Sequence, residues 1–277
     1  MEMQSEALNI EEIQKISFQI LRKVASICDE NGWKYVLAWG TLLGAVRHKG
    51  YIPWDDDVDI MMPRPDYESL MAYFEEHKDE LYPYVPMNMN NTPNYPHMIT
   101  RIVDKQYYLD VTNEKPCDMG IFVDIYVEDG AGKTYEEAVK IMNKTRRYPS
   151  LIFLAGREYL HKGNTESLFR LLIKPFVFLY VKMLGQKYFV NKLLSLIDTD
   201  NYSYSNFVAN LEWGTVPQIE VYPKEYIEER TQLEFNGELF YCPKAWHEVL
   251  SSCYGDYMTP PPPEKRKYHH MYKAYRK

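Results

Sequence analysis

The chain has 277 residues, 45% hydrophobic and 26% charged, an ordinary globular composition with enough length for one large domain or two modest ones. A net charge of −7 argues against general nucleic-acid binding, and the acidic start MEMQSEALNIEEIQ lacks the apolar centre of a secretion signal. The four cysteines, Cys28, Cys117, Cys242 and Cys253, form no CxxC pair and no zinc spacing, so they read as reduced thiols of a cytosolic chain.

In chain order, Leu8, Ile10, Ile13, Ile16, Ile20, Val24 and Ile27 recur at helical spacing, and Asn31-Gly32 supplies a stop. A short buried strand is expected at 35–38, then a helix over 42–47 opened by Gly40-Thr41. Pro53 makes 52–55 a turn, because a proline pushes the residue before it out of helical space. A second strand follows at 58–62, and Pro65 suits the start of a helix over 66–77. Residues 83–96, with four prolines and four asparagines, read as loop. Strands are expected at 98–104, 106–111 and 121–127. Residues 135–195 read as helical, with interruptions near Pro149, Gly163 and Pro175. Asn236-Gly237 predicts a hairpin between 231–235 and 238–241, since a type I′ turn needs positive φ at both central residues. A last helix spans 244–254 and ends at Gly255. The three prolines at 261–263 predict a stiff extended tail.

Charge is unevenly spread. Between Lys133 and Lys192 there are 12 Lys/Arg against 4 Asp/Glu, a local 12 − 4 = +8. The tail adds Lys265, Arg266, Lys267, Lys273, Arg276 and Lys277, while Asp55, Asp56, Asp57 and Asp59 concentrate the opposite sign. The longest apolar run, 168–184, is broken by Arg170, Lys174, Pro175 and Lys182, and is too short and charged to cross a bilayer. It reads either as core helices with solvated charges or as a surface resting on the inner membrane face.

The chemistry concentrates in GTLLGAVRH (40–48) followed by IPWDDDVDI (52–60). Side chains alternate along a strand, so Asp57 and Asp59 share one face while Val58 and Ile60 enter the core. Two such carboxylates repel unless a cation sits between them. A hard divalent ion, Mg²⁺ or Mn²⁺, takes oxygen ligands and in phosphoryl transfer neutralises charge on the leaving oxygens. Asp56, in the turn, is expected to face away from the pair. Asp124, alone in the apolar run GIFVDIY (120–126), is the expected third acid, because a buried lone carboxylate is costly unless paired or metal-bound. Gly40 and Thr41 open a helix whose first N–H groups can face a phosphate. Arg47, His48 and, on its own strand, Arg101 are further phosphate-binding candidates. The 25 tyrosines and five tryptophans suit grooves for sugars, bases or quaternary ammonium groups, and Trp39, Trp54, Trp213 and Trp246 are candidates for the last of these.

The run WGTLLGAVRHKGYIPWDDDVDIMMPRPDY, from Trp39 to Tyr67, closely resembles the LicD family, a branch of the nucleotidyltransferase superfold that includes fukutin-related proteins. Cys242-Pro243, the stretch Tyr254-Gly255-Asp256-Tyr257-Met258 and Pro261-Pro262 resemble the family as well, whereas 131–200 carries little of it. Thr41 stands where serine is common. The resemblance implies an α+β fold: a nucleotidyltransferase-like mixed β-sheet flanked by helices, with an added helical segment and a C-terminal hairpin. It divides the chain into a catalytic core (1–130), a basic helical segment (131–200) and a C-terminal hairpin and helix packed on the core (201–277). It further implies a phosphocholine transferase using CDP-choline, acting on a hydroxyl of a cell-surface glycan such as teichoic acid or lipooligosaccharide, or on a lipid-linked precursor. Asp57, Asp59 and Asp124 would then be the catalytic metal ligands, and Gly40 and Thr41 the phosphate-facing turn. Two rival readings remain: a glycosyltransferase that uses a DxD motif and a nucleotide sugar, and an inactive relative serving as a binding subunit. Fewer than 60 residues precede the DxD, which is short for a glycosyltransferase, and all three acids are present, which argues against decay.

Overall fold

In the computed structural model, residues 6–160, 168–266 and 272–277 are described; the break expected at Gly163 and the cation Lys267 lie outside them. Helix α1 (Ile10–Asn31) begins at a capping box, in which the Asn9 side chain accepts the Glu12 N–H and Glu12 reaches back, and it closes on Gly32 at φ 73°. Its apolar stripe is buried from Ile13 to Ile27, as the 3.6-residue period requires. Strand β1 (Val36–Leu37), helix α2 (Trp39–His48), strand β2 (Asp59–Pro63) and helix α3 (Arg64–Glu76) follow, with Pro65 in the first turn of α3. A short helix α4 (Lys78–Leu81) leads to strand β3 (Tyr84–Met87), inside the stretch expected to be loop. Pro86 is tolerated there because β3 is the sheet's edge, where a missing N–H breaks no inner ladder.

Strands β4 (Thr100–Asp104), β5 (Tyr107–Val111) and β6 (Ile121–Gly132) match the three expected strands, except that β6 runs five residues further. That extension organises the fold. The sheet order is β1-β2-β6-β4-β3, with β6 parallel to β2 and antiparallel to β4. The far half of β6 pairs with β7 (Phe207–Ala209), which pairs with β8 (Val221–Pro223). A strand of this length and apolarity, buried on both faces, suits the centre of a mixed sheet. The chain is therefore α+β, a mixed sheet flanked by helices.

The helical stretch resolves into α5 (Tyr135–Thr145), α6 (Tyr148–Gly156), α7 (Leu168–Leu184) and α8 (Gln186–Leu194). Contrary to expectation, Pro175 does not interrupt α7; the break comes at Gly185, whose φ of 77° no preceding helical residue shares. Short helices α9 (Pro217–Glu220) and α10 (Glu225–Glu228) flank β8. Strands β9 (Arg230–Phe235) and β10 (Glu238–Pro243) form the hairpin, with Asn236 and Gly237 at φ 52° and 82° as the turn chemistry predicts. Helix α11 (Trp246–Tyr254) follows. The tail is not simply extended: its end, β11 (Tyr272–Arg276), pairs antiparallel with β5. One apolar core joins α1, β2, β6, the hairpin and Ala274 of β11, and a second joins α6, α7 and α8.

Candidate active site

Where β1 turns into α2, Trp39 adopts a left-handed φ of 44°, so the chain bends sharply and the helix starts at once. The buried Thr41 hydroxyl then accepts the Asp59 N–H at 2.9 Å, and the Ala38 N–H donates to the Asp59 carbonyl at 3.0 Å. The start of α2 thereby holds the start of β2. At Gly40 the Asp55 carboxylate comes close: a Cβ there would lie 2.6 Å from Asp55 Oδ2, so any larger residue would displace that side chain. The chain's own Asp55 thus sits beside the first turn of α2, where the helix dipole favours an anion.

Strand register brings the acids together. Asp59 of β2 lies opposite Asp124 of β6, and the ladder continues backward through the Asp124 N–H, which donates to the Val58 carbonyl at 2.8 Å. One oxygen each from Asp57, Asp59 and Asp124 lie within 4.8 Å of one another, with Asp59 and Asp124 buried. The side chains of Asp55, Asp56 and Asp57 form a second group of the same tightness, so Asp57 belongs to both. Asp56, expected to face away from the pair, groups with Asp57 but not with Asp59; it is buried, and its Oδ2 accepts the Tyr272 hydroxyl at 2.6 Å.

Arg101, on β4 opposite Asp124, is the compensating cation. Its Nε donates to Asp124 Oδ1 at 2.7 Å, and its guanidinium lies 3.7 Å from the Phe122 ring centre. The phosphate-binding role considered for Arg101 from sequence meets a guanidinium already engaged with Asp124. Asp59 registers the crowding of these carboxylates. Its Oδ1 has no hydrogen-bond partner among the described residues, and burial, then Asp57, Asp124 and Asp55, push its carboxyl well above the usual range. An orphaned buried oxygen within a tight carboxylate group suits a hard divalent cation.

Beside the acids opens a cleft of about 290 Å³, lined by Asp57, Asp124 and Tyr126 together with Glu114, Arg157, Trp213 and Tyr272. Arg157 pairs with Glu114 at 3.0 Å and stacks on Phe153 at 3.9 Å. Burial works to raise the Glu114 carboxyl, but the His97 hydrogen bond and the charges of His97, Arg157 and Arg101 outweigh it and hold it below its ordinary value. Burial, then Arg101, keeps the His97 ring below the usual imidazole range. Trp213 is set by a buried ionic group next door: Arg64 Nε donates to Asp129 at 2.7 Å and its Nη2 to Glu212 at 2.6 Å, while the Asn210 side-chain oxygen accepts the Trp213 backbone N–H at 2.7 Å.

Arg47 and His48 stand at the far end of α2, outside this cleft. Arg47 Nη1 donates to the Tyr257 carbonyl at 2.6 Å, tying the tail's GDYM segment to α2, and burial followed by the nearby Arg266 lowers its pKa. His48 meets the edge of Trp54, whose face lies 5.4 Å from the Arg266 guanidinium. These groups form a separate cationic and aromatic rim. Sequence reasoning missed Glu114, His97, Arg157, Tyr126 and Tyr272. Of these, only Tyr126 left a signal, standing two residues beyond Asp124 on the same strand face.

Residues 32–126 match the family model described as LicD/FKTN/FKRP, nucleotidyltransferase domain. The chain is 30% identical over 272 residues to the lipopolysaccharide cholinephosphotransferase LicD of Haemophilus influenzae, covering 97% of this chain and 98% of that protein. Shorter matches of 62 residues link it to uncharacterized proteins of Rickettsia prowazekii (39% identical, 21% of this chain and 23% of that one) and Rickettsia typhi (37% identical, 21% and 20%).

Proposed function

Because this chain belongs to the LicD family, we propose that it is a phosphocholine transferase that moves phosphocholine from a CDP-linked donor to a hydroxyl of a cell-surface glycan or its precursor, with Mg²⁺ or Mn²⁺ held by Asp57, Asp59 and Asp124. The observation that carries the reading is the convergence of these three carboxylates where β2 and β6 pair, with an Asp59 oxygen that has no hydrogen-bond partner among the described residues. When bound, the cation would neutralise charge on the donor diphosphate and on the leaving nucleotide.

The chain's own residues would do the rest. Asp124, or Asp57 beside it, would take the proton of the acceptor hydroxyl as that oxygen attacks the phosphorus of phosphocholine and the bond to CMP breaks. Arg101 would hold the Asp124 carboxylate in one orientation through its short Nε contact. The cleft walled by Tyr126, Trp213 and Tyr272 would exclude water from the reacting oxygens and offer aromatic faces to a trimethylammonium group. The cytoplasm is the proposed location; among the described residues no helix is long and apolar enough to cross a membrane.

The test is CMP release from CDP-choline by purified protein with Mg²⁺ and a glycan acceptor, with a nucleotide sugar in parallel. Turnover of CDP-choline alone is expected, and Asp57→Asn, Asp59→Asn and Asp124→Asn should each lower it by about a hundredfold or more. Turnover of the nucleotide sugar instead, or a near-normal rate in any of the three variants, would defeat the reading.

A further inference from the structure

Helix α7 leaves an apolar stripe uncovered. Leu172, Phe176, Leu179 and Met183 are 71%, 75%, 69% and 74% exposed, and their spacing of four, three and four residues places them on one face. The opposite face is satisfied: Val181 is buried, and Val177 and Leu184 pack with Ile152 of α6 and with Phe189 and Leu193 of α8. The exposed stripe is therefore not a core surface left open by poor packing. A contiguous apolar face of this kind on a soluble chain marks an interaction surface.

The charge around it selects the partner. From Leu168 to Ile197 the chain has no Asp or Glu, but carries Arg170, Lys174, Lys182, Lys187 and Lys192. Lys187 and Lys192 are exposed on α8, the helix that packs against α7. A second copy of this chain docked on the stripe would bring two such cationic segments together with no acid within them to pair. The stripe is also small for a stable dimer: eleven residue steps give a length of about 16 Å, one helix wide, against the roughly 800 Å² per partner of a standard interface. A surface that is apolar below and anionic above meets both demands. We infer that α7 docks the protein on an anionic lipid surface, with Leu172, Phe176, Leu179 and Met183 lying among the acyl chains and the exposed Lys187 and Lys192 of α8 at the headgroups.

The docking helix is coupled to the site. Helix α6 packs against α7, and its Phe153, together with Arg157 immediately past the end of the helix, lines the cleft beside the acids. Lys182 of α7 donates to the Ala155 carbonyl of α6 at 3.0 Å, which joins the two helices by a polar contact as well. A bilayer-bound α7 would thus hold the cleft close to amphiphilic acceptors anchored in that surface.

The test uses the full chain and no turnover, so its outcome is independent of the proposed reaction. In flotation, the protein should rise with phosphatidylcholine vesicles that contain phosphatidylglycerol and stay behind with phosphatidylcholine alone. A Phe176→Glu/Leu179→Glu double variant should bind the mixed vesicles at least roughly tenfold less, because two large apolar side chains no longer enter the lipid. Its thermal midpoint should match the unaltered protein, since both positions are solvent-facing. The inference is overturned if the unaltered protein fails to float, if the double variant floats equally well, or if sedimentation reveals a dimer that the double variant dissolves, which would assign the stripe to a second copy.

Discussion

Glu128 offers the sharpest test of how charge is buried in this fold. It sits on β6 with no exposed surface, and neither carboxylate oxygen has a hydrogen-bond partner among the described residues. Burial, then Asp129 and Glu220, push its carboxyl well above the ordinary glutamate value. The folded protein therefore keeps a proton that the unfolded chain releases once pH exceeds that value. The sign follows directly: holding that proton costs folding free energy as pH rises, until the raised folded pKa is reached. Glu128→Gln mimics the protonated acid and takes up no proton, so its advantage over the unaltered chain grows with pH. The gap between the two proteins should widen by up to about 1.4 kcal/mol for each pH unit between the unfolded and the folded pKa of Glu128. For a chain of this size each kcal/mol is worth roughly 2–4 °C, so the melting temperatures should nearly coincide near pH 4 and separate as pH rises. Paired melts of the two proteins across pH 4–7 provide the measurement. A difference that stays flat with pH, or a variant that melts lower at pH 7, would mean that the Glu128 carboxylate is ionised and accommodated in the fold.

Arg101→Met should destabilise the fold by about 3–5 kcal/mol, because it leaves Asp124 buried without its guanidinium, and chemical denaturation would read the loss. Arg101→Lys should recover only part of it, since an ammonium cannot reproduce the two-pronged contact over Phe122. Millimolar Mg²⁺ should raise the melting temperature of the unaltered chain and much less that of Asp59→Asn; equal shifts in both would put the ion elsewhere. Tyr272→Phe removes the hydroxyl that donates to Asp56 and should cost about 1–3 kcal/mol while lowering CDP-choline turnover, as the cleft wall loosens. Unchanged melting and turnover would show that β11 is not anchored through this contact.

Much of this protein was readable locally. The 3.6-residue spacing of α1 and the Asn-Gly turn of the hairpin are short-range patterns whose physics acts within a few residues, and the structure agrees with each; the alternation of Asp57, Val58, Asp59 and Ile60 likewise brings Asp57 and Asp59 together, although β2 itself begins only at Asp59. The lone acid in an apolar strand likewise pointed to Asp124, because the cost of burying a charge is visible from its neighbours alone. What the local pattern left open was pairing. Nothing near Asp124 announces that β6 lies parallel to β2 in the register that sets it opposite Asp59, or that Arg101 arrives from the other side to bind it. The strand at 84–87 was hidden for the same reason: its proline and loop-like composition are compatible with a strand only at an edge, and edges exist only in an assembled sheet. The same holds for the cleft wall. Glu114, Arg157, Trp213 and Tyr272 come from four distant segments, each with ordinary local chemistry, and their meeting beside the acids is decided by long-range packing. The sequence by itself determined which groups could carry charge chemistry and which faces must be buried; the tertiary structure alone decided which of those groups meet, because strand register and sheet order depend on contacts far apart along the chain.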